Sequence, residues 1–169
     1  MNRPLLVGVA LLVIGIGVPG AAFAQWTLEN NVNPNTGEQA VFISRPATFD
    51  GAIAFVCINS ALIAPSFILV QPTNYDTPLG RVDVTMTLGA KPPTTSRWSF
   101  SQASGQLRSQ DIVLADVFAA LEGETEVAFE VQDTFLRTYR IHAPVENLLE
   151  LAPDFLERCT ALPPMQRGP

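Results

Sequence analysis

Four groups of residues could carry chemistry in this 169-residue chain. His142 is its only histidine, so a Ser-His-Asp relay would have to be assembled around it from distant serine and aspartate positions. It falls at the end of a predicted strand, on the face opposite Tyr139 and Ile141, and reads as a strand-end histidine rather than a base. Glu122, Glu124, Glu126 and Glu130 form an acidic run. They lack the Asp-x-Asp-x-Asp-Gly spacing that wraps calcium in oxygens, and read as a solvated face. No Gly-x-Ser-x-Gly elbow, phosphate-cradling glycine loop or His-Glu-x-x-His helix occurs. No catalytic residue, metal site or cofactor is therefore assigned.

Cys57 and Cys159 are the only cysteines. A redox pair needs Cys-x-x-Cys or a site that stabilises a thiolate, and zinc needs more ligands than two cysteines and one histidine supply. An even pair in an exported chain predicts a structural disulfide. The remaining candidate is a partner surface. Arg97 and Trp98 lie at strand spacing with Phe100, and residues 61–70, including Ala61, Leu62, Ile63 and Phe67, are almost free of charge. If they are exposed, they form a patch for another protein; the alternative for Trp98 and Phe100 is the core.

The elements that must hold these residues are mostly strands. Residues 81–88 alternate Val82, Val84, Met86 and Leu88 with Arg81, Asp83, Thr85 and Thr87, the period of a strand with one wet face. Residues 52–58 are apolar on nearly every position, which predicts a central strand buried on both sides. Further strands are predicted at 26–29, 40–44, 66–70, 96–101 and 125–131. A hairpin over 132–134 leads into a partner strand carrying Phe135, Tyr139 and Ile141. Over 111–121 the period changes to a helix through Leu114, Val117, Phe118 and Leu121, with Asp111 in its first turn. A second helix is predicted from Pro144, burying Val145, Leu148, Leu149, Ala152, Leu156 and Cys159, with a kink or restart at Pro153. The predicted fold class is mainly β (α+β): an antiparallel β sandwich or open barrel with one short inserted helix and a C-terminal helix.

Residues 1–24 carry Arg3, an apolar run over 5–18, and Ala22-Phe23-Ala24. This is the order of a cleavable secretory signal, cut between Ala24 and Gln25. The run of about 14 apolar residues falls short of the roughly 20 that a spanning helix needs, so no stable membrane insertion is expected after cleavage. One domain is predicted over 25–162 and a disordered tail over 163–169. The net charge of −6, with Lys91 the single lysine and no basic cluster, argues against nucleic acid and anionic lipid as partners.

Several features in line resemble the type VI secretion-associated, VasI-like periplasmic family. They are the signal segment, Trp26 opening the chain after it, the Asn33-Pro34-Asn35-Thr36-Gly37 turn, and Cys57 closing the central strand. Arg81-Val82-Asp83, Trp98-Ser99-Phe100, the inserted helix and a last helix ending at Cys159 complete the series. The chain departs from that family beside its first cysteine, where Ile58 and Asn59 are followed by an apolar stretch. The resemblance implies a periplasmic location, the Cys57–Cys159 disulfide and a β-rich fold. The function expected is that of a periplasmic accessory or binding protein acting by contact with an envelope protein, possible secretion machinery included. An enzyme acting on envelope polymers and a small-ligand carrier are the alternatives.

Overall fold

The computed structural model describes residues 25–45, 50–59, 66–110 and 112–163. The predicted signal segment with Ala24, the positions Ala61, Leu62, Ile63 and Asp111, and the tail from 164 onward lie outside the described residues.

The period-two runs become strands β1 (Thr27–Val32), β2 (Gln39–Arg45), β3 (Gly51–Ile58), β4 (Ser66–Pro72), β5 (Arg81–Leu88), β6 (Thr94–Ser101) and β7 (Gln106–Arg108). Helix α1 (Leu114–Leu121), strands β8 (Glu126–Gln132) and β9 (Thr138–Pro144), and helix α2 (Leu148–Ala161) follow. All described strands join one sheet in the order β1-β2-β3-β4-β7-β6-β5-β8-β9. Every neighbouring pair is antiparallel. After β4 the chain passes over two strand positions to lay down β5, then returns through two hairpins so that β7 pairs with β4, a Greek-key path. The sheet curls until β9 lies against β3 and β4 without pairing to either. The result is an open barrel with β1 and β9 as its edges.

Alternation decides which side chains enter the core. The inner face receives Ile43, Phe55, Ile68, Val84, Trp98, Leu107 and Phe129, and the two helices fill the space it encloses. Helix α1 buries Leu114, Val117, Phe118 and Leu121, as the spacing predicts. Helix α2 buries Leu148, Ala152 and Phe155. A column of rings runs through the middle, with centroid separations of 5.6 Å from Trp26 to Phe55, 5.1 Å from Phe55 to Phe118, and 5.8 Å from Phe118 to Phe155. Burying each such ring is worth about 1.5–3 kcal/mol. The Cys57–Cys159 disulfide, spanning 102 residues of chain, fastens α2 to β3. Strand β3 is central and buried on both sides: Val56 and Ile58 join Phe42 and Phe67 in a second cluster on the outer face.

The residue preceding β1 and the corner between β9 and α2 are tied together. The Trp26 indole donates to the Pro144 carbonyl at 2.8 Å. The Asn147 side-chain amide accepts from the Trp26 backbone N–H at 3.2 Å and donates to its carbonyl at 3.1 Å.

Several expectations are corrected. Helix α1 begins at Leu114, so Asp116, not Asp111, occupies its first turn. Pro144 ends β9 instead of opening a helix, and α2 starts after Asn147 in a left-handed conformation. Pro153 lies inside α2, which continues through it; Val145, Leu148 and Ala152 are buried as the pattern predicts, Leu149, Leu156 and Cys159 are half-buried, and Phe155, which the pattern left out, is fully buried. Phe135 belongs to a turn, since β9 begins at Thr138. Strand β7 was not predicted.

Candidate functional site

The structure splits the predicted partner surface. Trp98 is fully buried, edge-on to Phe129 at 5.7 Å with its indole N–H donating to Ser96 Oγ at 2.8 Å. Its parity on β6 points it inward, so it is a core residue. Phe67 points outward on β4 but is only 5% exposed, packed with Phe42, Val56 and Ile58. The Arg108 guanidinium covers its ring at 3.8 Å. Burial there holds the Arg108 pKa below the usual guanidinium range, against the raising influence of Glu38. Of the described members, Arg97 alone is exposed.

Arg97 lines an open groove of about 490 Å³ on the outer face of β5, β6 and β8. The residues that alternate outward supply its polar wall: Arg81, Asp83, Arg97, Glu130, Gln132 and Thr138. Asp83 and Arg97 are cross-strand neighbours. Both charge signs are present, which suits a polar surface carrying both more than it suits a bare anion.

Gln132 and Thr138 form the last pair of the β8–β9 ladder, so the groove ends at the turn joining those strands. At that turn stand Phe135 and Leu136, 78% and 77% exposed. Asp133 builds the turn. Its side chain is fully buried and accepts from the N–H groups of Phe135 at 2.8 Å and Arg137 at 2.9 Å. It also accepts from Arg137 Nε at 2.6 Å and from the Tyr139 hydroxyl at 3.3 Å. Backbone bonds from Asp133 N–H to the Arg137 carbonyl and from Leu136 N–H to the Asp133 carbonyl close the loop. Leu136 is left-handed, with φ 62°, a conformation that favours glycine or asparagine.

Burial pushes the Asp133 carboxyl up, but the hydrogen bonds from Arg137 and Phe135 and the Arg137 charge outweigh it and hold it below the usual range. A depressed carboxylate contributes stability that is present above its unfolded pKa, about 3.9, and is lost as pH falls through the folded value. Asp133→Asn is therefore expected to melt below the parent at neutral pH. That gap should narrow as pH falls below about 4. Thermal melts followed by circular dichroism check this, and a gap independent of pH would contradict it. Nearby, burial, followed by the charges of Asp133, Tyr139 and Asp76, pushes the Tyr75 hydroxyl up to about 12. Its ring stands edge-on to Phe100 and Tyr139, both at 5.2 Å, supporting the base of the hairpin.

The acidic run meets a backbone donor and a cation instead of gathering at one point. Glu124 accepts from the Ala90 N–H at 2.8 Å, whereas Glu126 and Glu130 face Arg140 at 3.6 and 3.7 Å. His142 is half exposed between Glu126 at 3.8 Å and Asp50 at 3.9 Å. Among the described residues no group of three or more His, Cys, Asp and Glu side chains is placed to hold a metal ion. No helix among them is long and apolar enough to cross a membrane.

Sequence reasoning missed the hairpin tip. The only signal was Arg137 interrupting the apolar row from Phe135 to Ile141, which marks where the strand has not yet begun. Compared with protein-family models, curated proteins and solved structures, the chain matches none.

Proposed function

We propose that this chain is an exported, non-enzymatic binding protein that engages a protein of the periplasm or envelope through the β8–β9 hairpin tip. The groove behind the tip takes the polar flank of the same partner. One observation carries the reading: two large apolar side chains stand almost fully in water on a turn held rigid by a buried carboxylate. One of them, Leu136, occupies a backbone position where leucine costs about 1–2 kcal/mol. Folding gains nothing from that choice, since the side chain is exposed. Strain kept at an exposed site is the mark of a residue retained for contact. A preformed tip also loses little conformational freedom on docking.

Export is supported by the signal-like segment 1–24 and by the disulfide, which persists in oxidising compartments. The resemblance to VasI-like periplasmic proteins supports an accessory role. The interior offers little to a carrier reading, because Phe55, Trp98, Phe129 and Phe155 fill the space between sheet and helices.

Leu136→Gly separates contact from folding. It is expected to stabilise the protein by about 1 kcal/mol in urea unfolding through relief of the left-handed strain. At the same time it should reduce crosslinking of the chain from Gln25 to its periplasmic partner about tenfold, a loss of about 1.4 kcal/mol in binding. Unchanged crosslinking by the stabilised variant would sink the proposal.

A further inference from the structure

The two edges of the open sheet are treated differently. Which groups face each edge follows from the hydrogen-bond phase of its ladder, because residues of an antiparallel strand alternate between bonding to their neighbour and pointing away. On β9, the bonds from Val145 N–H to the Thr125 carbonyl and from Asp133 N–H to the Arg137 carbonyl set the phase. The free edge therefore presents Thr138, Arg140, His142 and Pro144. Pro144 has no N–H, its carbonyl is occupied by the Trp26 indole, and Arg140 and His142 are charged or chargeable. Proline and charge are the devices by which edges avoid pairing.

Among the described residues strand β1 carries no such device of its own; the charge that approaches from outside it is Arg158 of α2, which reaches the Asn30 side chain at 3.5 Å and is paired with Asp154 at 2.7 Å. The bond from Asn33 N–H to the Glu38 carbonyl sets its phase. Thr27, Glu29 and Asn31 bond to β2, and the even-numbered residues point outward. Trp26 confirms this, since both its backbone groups are taken by the Asn147 amide. Leu28, Asn30 and Val32 follow with their N–H and carbonyl groups directed away from β2. The strand contains no proline or lysine, Glu29 is its only charge, and Val32 is 55% exposed.

We infer that β1 is a pairing edge for a second copy of this chain, joined antiparallel about a two-fold axis at Asn30. The occupant follows from the strand's self-complementarity. With Asn30 opposite its own copy, Leu28 lies opposite Val32 of the other chain, so the exposed valine gains an apolar neighbour. Glu29 lies opposite Asn31, so the one charge on the strand never meets itself. Each of the outward residues exchanges both backbone bonds with its counterpart, and two sheets become one. This pairing is independent of the hairpin tip, which lies at the β8–β9 turn.

The test is sedimentation equilibrium of the chain from Gln25 over a wide concentration range. A monomer–dimer equilibrium is expected. Asn30→Pro removes the central outward N–H while sparing the β1–β2 ladder, and is expected to raise the dimer dissociation constant at least about tenfold. Asn30→Cys places a thiol against its own copy and is expected to give a covalent dimer under mild oxidation, read on a non-reducing gel. This variant decides the matter if the proline variant fails to fold. A monomer at every concentration, with Asn30→Cys remaining monomeric, overturns the inference, and so does a dimer that Asn30→Pro leaves unchanged. Pairing of β1 only with an extended segment of another protein would give the first of these results.

Discussion

Replacing both Cys57 and Cys159 with alanine is expected to lower unfolding stability by about 4 kcal/mol through loss of the cross-link. The bridge closes 102 residues, and chain-entropy reasoning assigns roughly 4.7 kcal/mol to a loop of about 100 residues. Total stabilities of about 5–15 kcal/mol leave little after such a loss. The effect is concentrated on α2, whose inner face docks through Leu148, Ala152 and Phe155 and whose last turn is held to β3 by Cys159. Urea unfolding of the double variant beside the parent measures it. The dependence on urea should steepen as well, because the unlinked chain expands further when unfolded. A loss below about 1 kcal/mol would mean that packing alone holds α2.

Trp98→Ala is the second large effect, about 3–5 kcal/mol. The indole is the largest fully buried side chain. Truncation removes its edge-on contact with Phe129, leaves Ser96 Oγ without its donor, and opens a cavity that strands β5 to β7 cannot collapse into without breaking their ladders. Trp98→Phe is expected to keep most of the stability, at a cost of about 1–2 kcal/mol. Near-ultraviolet circular dichroism and urea unfolding distinguish the two. If Trp98 were a recognition residue, the alanine variant would keep its stability and lose its partner. Its burial predicts the reverse: the phenylalanine variant should still crosslink to that partner.

How far the sequence is legible depends on whether a residue's role is local. Strand β5 runs from Arg81 to Leu88 as its alternation predicts, and β3 is central as its unbroken apolar run predicts. The parity of Trp98 and Phe100 against Arg97 and Ser99 correctly separates inside from outside. Strand β7 escaped because Leu107 is its single apolar residue, and three residues cannot display a period. Pro144 misled because proline suits both a helix start and the unpaired side of an edge strand, and only the ladder phase tells these apart. Phe135 shares odd numbering with Tyr139 and Ile141, so alternation alone extended the strand across a turn that the Asp133 carboxylate actually sets. The site was the least legible part. Exposure of Phe135 and burial of Phe67 depend on what the sheet's curl and the Arg108 side chain bring over them.

The clamp between Trp26 and the Pro144–Asn147 corner bears on how such a chain would be exported. The ring column begins at Trp26, just before β1, yet its indole and backbone partners are made 118 and 121 residues later, and Cys57 waits 102 residues for Cys159. Strands β1 to β4 can pair as they emerge, but the core cannot be completed until the final helix has been delivered. A polypeptide threaded through a translocation pore from its amino end would therefore stay slack enough to pass for most of its transit. The steps that lock it, the seating of an indole and the joining of two thiols, would then both fall on the far side of the membrane.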